Sequence, residues 1–473
     1  MFQIFINDLL KVVEAVGKGV EVGKTPVSGM LFADDFVGMS DTPEGLQIQI
    51  NAAKAYADKW RLSANVPKCA VVICNGDGDD EVGAKWTWGD KELPIVEKYT
   101  YLGVEIANDC KWDVHMHKIA EKGKARAGKL HPILADRHLD TRVKLTILNS
   151  VIIPPLEYAG EVWEGNTKIV AELEAAQMKA AKIILGCSQR TSNAAVRAEL
   201  GLNSLRTGRD TKKLTWQYRM GNMGKERLPR IAWEAGWTNK AKGRQPIEWA
   251  KVVKGVWSGL GIDEEETLGA DTIEEYKKGI SEAFAEREDL NLRKEIREKE
   301  GLEVYGMINE RIGFKEYLHG PMDEGTKLKV KFRTGDIDLQ ERRRRFRKVD
   351  EDDDKFKCQC GAECEDRVHV VAECTLYEKE REVYLTELGE IDGCDRDKFE
   401  TWDNQEKTVA ILGDKKWPMR ARSEVDRIGK TFLRHLWQSR KERLAIGNRS
   451  CGNNAPSSRG RVVNGPTAKA CKT

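Results

Sequence analysis

Two groups of side chains in this sequence are of types and spacings that can do chemistry. The first is Asp34-Asp35, set in Leu31-Phe32-Ala33-Asp34-Asp35-Phe36-Val37 between two short apolar runs. Val27 to Leu31 and Phe36 to Met39 read as strands, so the carboxylates are expected at a tight turn at the end of a sheet. Adjacent carboxylates placed there can hold hard divalent cations, Mg2+ or Mn2+, whose open positions take substrate phosphates. A pair of such ions activates an attacking oxygen and stabilises a leaving one. Taken alone, Asp-Asp between apolar runs is more often a solvated turn.

The second group is Cys358, Cys360, Cys364, His369 and Cys374. Thiolate and imidazole are the ligands Zn2+ prefers, four at a time in a tetrahedron. Two sets are open: Cys360, Cys364, His369 and Cys374, near zinc-knuckle spacing, or Cys358, Cys360, His369 and Cys374. The bland alternative is a loop of free reduced thiols. Val370 and Val371 offer only a small apolar core, so a module of this size is expected to need its metal to fold.

The elements that must position these groups follow from apolar spacing. Leu46, Ile50, Ala53, Ala57 and Trp60 recur at helical spacing behind the Asp-Asp turn. From His115 to Gly186 the pattern is helical, with stripes at Val143, Ile147 and Val151 and at Ile169, Leu173, Ala176, Ala180 and Ile183. Pro154-Pro155 and Gly165-Asn166 are expected to interrupt them. Lys118, Lys122, Lys124, Arg126 and Lys129 then lie where they can track a nucleic-acid backbone, although such runs are usually a solvated face. Trp237, Trp249 and Trp257 read as packing anchors. Glu264 to Glu300, dense in Glu and Lys, reads as exposed helix or extended connector. Before the cysteines, Lys327 to Gly335 and the run Arg342-Arg343-Arg344-Arg345-Phe346 form a basic stretch whose arginines can contact phosphate, with Phe346 able to stack an unpaired base. The acidic run Asp350 to Asp354 follows. Val425, Ile428, Phe432, Leu436 and Trp437 mark a last amphipathic helix.

Composition limits the alternatives. The chain has 473 residues and a net charge of +2, so any nucleic-acid binding rests on local patches and not on the sum. Eleven cysteines without a secretion signal imply reduced thiols, with metal where they cluster. No run of about eighteen apolar residues is present, so no membrane partner is expected, and an intracellular location, in nucleus and cytoplasm, is.

Several phrases share one source. Phe2-Gln3-Ile4-Phe5-Ile6-Asn7-Asp8-Leu9, followed by Phe32-Ala33-Asp34-Asp35, resembles the reverse transcriptase of non-LTR (LINE-type) retrotransposons. Asn65-Val66-Pro67-Lys68-Cys69 resembles that family's next strand, with Cys69 where a small hydroxyl residue is usual. Tyr101-Leu102-Gly103 resembles its closing hairpin, and Pro155-Leu156-Glu157-Tyr158-Ala159-Gly160-Glu161-Val162-Trp163 its thumb phrase. Lys331-Phe332-Arg333-Thr334-Gly335, the Arg run, and Glu365-Asp366-Arg367-Val368-His369 with Cys374-Thr375-Leu376-Tyr377 are similar to the sequence around its Cys-Cys-His-Cys motif. That likeness favours Cys358, Cys360, His369 and Cys374 as ligands, with Cys364 a spare.

The resemblance implies an α+β protein: a partial polymerase palm over 1–108, a helical thumb over 109–200 and a helical connector over 201–330. An Arg-rich segment with a zinc module follows over 331–385, then C-terminal helices over 386–445 and a disordered tail over 446–473. It implies a fragment of an RNA-directed DNA polymerase, with Asp34 and Asp35 as catalytic carboxylates holding Mg2+ (or Mn2+) and Zn2+ at the Cys-Cys-His-Cys module. Its partners would be an RNA template, a DNA primer or target, and, in the intact enzyme, deoxynucleoside triphosphates. In the family the fingers, the first palm Asp and a Gln-Gly loop precede the Ile-Asn-Asp-Leu phrase. An internal start and an incomplete, inactive site are therefore expected here. The rival readings are a remnant that binds nucleic acid, or a zinc module that binds protein.

Overall fold

The computed structural model describes residues 2–74, 84–164, 167–235, 248–308, 311–345 and 353–451. The chain forms two compact units, Met1–Lys299 with Glu310–Met322 and Glu300–Asn309 with Asp323–Thr473. Its secondary structure is mixed α+β: mostly helix, with the strands of the described residues paired in four two-stranded antiparallel sheets of the first unit.

The first unit opens with helix α1 (Phe2–Glu14). Hairpins β1 (Val20–Val22) with β2 (Thr25–Val27) and β3 (Gly29–Phe32) with β4 (Asp35–Gly38) follow. After helix α2 (Pro43–Lys59) come β5 (Trp86–Trp88) with β6 (Lys91–Leu93) and β7 (Lys98–Tyr101) with β8 (Val104–Ala107). Each hairpin closes on two residues, the first of them with positive φ: Gly23, Ala33, Gly89 and Leu102. Such turns match the right-handed twist of short strands. Thr42 caps α2 by accepting from the Gly45 N–H, and Pro43 sits where its missing N–H is not needed.

The buried face of α2 differs from the one expected. Gly45, Gln49, Ala53 and Tyr56 are buried, while Trp60, the C-cap residue, is 45% exposed. Gln49 turns inward because its amide donates to the carbonyls of Lys18 and Met39, at 3.0 and 2.7 Å. One flank of α2 packs with Ile6, Leu9 and Val13 of α1 and with Leu31 and Phe36 of the Asp-Asp hairpin. The other flank, through Leu46 and Ile50, meets Val71, Trp86 and Leu93. The strand expected around Asn65–Val72 is a 3-10 turn, Val66–Lys68, followed by a single parallel bridge of Val71 to Ile95.

Helix α3 (Asp113–Lys129) packs along the helix Thr167–Leu185. Pro154-Pro155 does not break the chain between them. The helix Thr141–Ile147 passes through a π turn, Leu148–Ile152, into Ile153–Leu156, so the prolines fall in a first turn. The wider π turn leaves room for a ring that an unbroken α-helix would exclude. Gly165-Asn166 and Trp237 lie outside the described residues. Trp249 and Trp257 are packing anchors, with Nε1 atoms donating to the Glu161 carbonyl and to Gln217 Oε1, each at 2.7 Å. Of the two readings of Glu264 to Glu300, exposed helix or extended connector, the helix is found over Ile273–Glu298, with one narrow buried side. Tyr276, Ile280, Phe284, Glu288 and Leu292 recur every fourth residue on its buried side. Glu288 is tolerated there because Ser204 and Thr207 hydroxyls donate to it at 2.8 and 2.5 Å.

The second unit is helical around one core. Val304 and Ile308, Leu328 and Phe332 of the helix Glu324–Thr334, Leu412, and Val425, Ile428, Phe432 and Leu436 of the helix Arg422–Cys451 all enter it. Cys358, Val370, Val371 and Cys374 belong to the same core. The small self-contained knuckle expected from the sequence is thus corrected: its apolar side is the interior of a whole domain. The helix Arg422–Cys451 also runs past the point where a tail was expected, and 452–473 lie outside the described residues.

Candidate metal centre and acidic hairpin

A tight loop carries the first two cysteines. Cys358 N–H donates to the Ala362 carbonyl and Gly361 N–H to the Cys358 carbonyl, both at 2.9 Å, with Gly361 at φ +98. Asp366 Oδ1 accepts from the His369 N–H at 2.8 Å and starts a π turn, His369–Glu373, closed by Cys374 N–H on the His369 carbonyl at 2.7 Å. In an α-helix, residues five apart would diverge by about 140° around the axis. The wider π turn brings His369 and Cys374 back to one side.

The result is a group of four. Cys358 Sγ and Cys374 Sγ are 3.7 Å apart, and Cys360 Sγ is 3.2 Å from His369 Nε2. All four ligand atoms lie within 4.8 Å of one another. Two sulfurs each about 2.3 Å from a tetrahedral zinc stand roughly 3.8 Å apart, so the cluster can hold a metal such as zinc. Cys364 is outside the group; burial raises its thiol, with the Arg344 guanidinium acting the other way. Burial pushes the Cys358 thiol up to about 12 and also raises Cys374. At Cys360 burial acts upward too, but hydrogen bonds from the Ala362 N–H and from Cys358, His369 and Cys374 outweigh it and bring the thiol to about 7.

A second ring of side chains holds these ligands. Glu373 Oε2 lies 3.4 Å from His369 Nδ1, which leaves Nε2 turned to the cysteines. Arg440 grips Glu365 through two bonds of 2.8 and 2.6 Å, and Arg367 pairs with Glu341 at 2.7 Å while donating to the Phe332 and Gly301 carbonyls. Nothing in spacing alone marks Arg440 as a partner of this loop.

Much of the basic stretch is engaged within its own unit. Lys329 is buried on Asp426 at 2.7 Å, its pKa lowered by burial against the pull of that carboxylate. Arg333 is buried and donates to the Leu412 carbonyl. Arg342 pairs with Asp336 at 2.9 Å, Arg343 with Asp338 at 3.3 Å, and Arg345 donates to the Gly335 carbonyl at 2.9 Å. Arg343 and Arg344 keep exposed side chains. Phe346 and most of the acidic run, 346–352, lie outside the described residues.

In the first unit Asp34 and Asp35 are both exposed at the end of the β3–β4 hairpin. The turn itself is Ala33-Asp34, one residue earlier than expected, because Phe32 pairs with Asp35. Burial raises the hydroxyl pKa values of Tyr99 and Tyr101 of β7, with Cys69 adding at Tyr99 and the charge of Asp35 at both. The β7–β8 turn is pinned in its own way. Tyr158 donates to the Leu102 carbonyl at 2.8 Å, and a Cβ added at Gly103 would lie 3.2 Å from its ring. Of the basic residues on α3, Lys118 pairs with Glu105, Lys124 with Glu121 and Glu172, and Arg126 donates to the Val151 carbonyl. Lys122 and Lys129 are exposed. Among the described residues, the one group of three or more His, Cys, Asp or Glu side chains able to share an ion is the Cys/His cluster.

One buried cation escaped the sequence reading. Arg209 is buried over the Trp163 ring, 5.2 Å from its centroid, with Glu164, Glu174, Asp210 and Glu157 around it. Only folding brings its helix Leu205–Gly221 to the Leu-Glu-Tyr phrase.

The chain is similar to an RNA-directed DNA polymerase from the mobile element jockey of Drosophila funebris. The two are 28% identical over 141 residues, covering 28% of this chain and 15% of that protein. This is a partial likeness of the reverse-transcriptase type. No protein-family model matches the chain. No helix among the described residues is long and apolar enough to cross a membrane.

Proposed function

We propose that this chain is part of a non-LTR retrotransposon RNA-directed DNA polymerase, with a palm segment, a helical thumb and a metal-binding module that contacts nucleic acid. The observation that carries the reading is the likeness to the jockey polymerase over 141 residues. The exposed Asp34-Asp35 pair on a short hairpin braced by α2 supports it. In an intact polymerase of this kind a primer hydroxyl attacks a deoxynucleotide and releases pyrophosphate, with metal ions held by palm carboxylates. Asp34 and Asp35 do not complete such a site by themselves, since the described residues add no third ligand to them. Primer extension by the purified chain with magnesium on an RNA template should therefore match that of an Asp34→Ala control. Adding the upstream half of a related polymerase should restore synthesis only while Asp34 is intact. Synthesis by the chain alone, above that control, would sink the account of the site.

In the second unit the proposed ligands are Cys358, Cys360, His369 and Cys374, holding zinc that ties loop to turn. The nucleic-acid face proposed from the Arg run rests most on Arg343 and Arg344, whose side chains are exposed. The remnant reading, in which only this binding survives, draws on the same pair. The internal pairing of Lys329, Arg333, Arg342 and Arg345 favours weak phosphate binding over strong.

A further inference from the structure

A divalent ion bound by three thiolates and one neutral imidazole is left with one net negative charge. At this cluster Cys358, His369 and Cys374 are buried, and a buried charge is tolerated only with a compensating partner. Arg440 is taken up by Glu365 and Arg367 by Glu341, and Arg443 lies against the Tyr377 ring. Arg381, on the helix Glu378–Gly389, is placed differently. Its Nη2 donates to the main-chain oxygens of both Glu373 and Cys374, the last two residues of the ligand-bearing turn. Its Nη1 is buried without a hydrogen-bond partner. Burial lowers its pKa, against the pull of Cys374, Glu378, Glu380 and Glu373.

We propose that Arg381 is a positioning residue of the metal centre. Its guanidinium offsets the net negative charge of the metal–thiolate cluster, and its hydrogen bonds hold the Cys374 end of the turn. The proposal rests on the reading of Cys358, Cys360, His369 and Cys374 as ligands. It gives the buried Nη1 of this half-buried arginine a source of negative charge in the thiolates that form when metal binds.

Charge and hydrogen bonding are separable by substitution in the full chain. Arg381→Gln keeps an N–H donor and loses the charge, Arg381→Met loses both, and Arg381→Lys keeps the charge. Zinc affinity is measured by chelator competition, and folding by circular dichroism before zinc is added. Arg381→Gln and Arg381→Met are expected to weaken zinc binding about 10- to 100-fold, the range found for groups that support metal ligands. Arg381→Lys is expected to recover most of it. Equal losses in the Lys and Gln variants, or no loss in Gln, would overturn the proposal. If the uncharged variants do not fold, the Lys variant decides alone: affinity near that of the unaltered chain supports compensation by charge, and affinity lost overturns it. Failure of the unaltered chain to bind one zinc would instead remove the ligand reading beneath it.

Discussion

Asp34 and Asp35 stand in solvent on a two-stranded hairpin, whereas Cys358, His369 and Cys374 are buried among side chains drawn from Val304 to Leu436. The two motifs are similarly short, and the roles proposed for them would call for opposite surroundings. A carboxylate pair that serves phosphate chemistry must stay open to substrate and to further ligands. A structural thiolate cluster needs every position filled and water kept out. The hairpin packs on α1 and α2 through Leu31 and Phe36 and leaves both carboxylates exposed. The cluster is enclosed by its own unit.

The comparison can be broken most directly at the cluster. Cys374→Ser and His369→Ala should each abolish tetrahedral metal binding, read as loss of the thiolate charge-transfer bands of the cobalt-substituted chain. Cys364→Ser should leave those bands in place, because Cys364 lies outside the group of four. Bands that vanish in Cys364→Ser and persist in Cys358→Ser would restore the knuckle spacing.

A smaller effect is expected from removing the metal. A knuckle folding only around its ion would lose its structure on chelation. Here Cys358 and Cys374 share a core with Phe332, Leu412, Phe432 and Leu436, which buries apolar surface whether or not metal is bound. Chelation should thus lower the melting temperature of the second unit while leaving its helical circular dichroism at room temperature nearly unchanged. Collapse of that signal would return the cluster to the status of an independent module.

The smallest effect belongs to the hairpin. Asp34→Asn removes a carboxylate that is exposed, and should change unfolding free energy by no more than about 0.5 kcal/mol. Denaturant melts of the two proteins would superimpose. A loss several times larger would mean that Asp34 holds the fold together, and the contrast between an open site and an enclosed one would fail.

Local pattern carried a good deal of this. The hairpin at Asp34-Asp35, the helices from α3 to Leu185, the packing role of Trp249 and Trp257 and the apolar face of the last long helix were readable from residue spacing, because each depends on neighbours within a few positions. The stripe Val143, Ile147 and Val151 was not the packed one: Val143 and Val151 are exposed, and Lys144, Leu148 and Ile152 are buried instead. The Cys/His cluster was readable as a set of candidates for the same reason, yet spacing left two sets of four open. Composition left Glu264 to Glu300 open between exposed helix and extended connector; most of it is a largely exposed helix, and the single buried residue every fourth position that docks it was too sparse to read.

Tertiary structure alone decided the partners of charged side chains. Arg342 to Arg345 read in sequence as a basic patch, but Asp336, Asp338 and the Gly335 carbonyl engage three of the four. Arg440 reaches Glu365 across seventy-five positions, and Lys329 reaches Asp426 across ninety-seven. Periodicity reports which face of an element is apolar, since backbone geometry sets that face. It carries no information about which distant residue a charge will meet, because the meeting depends on how whole elements pack.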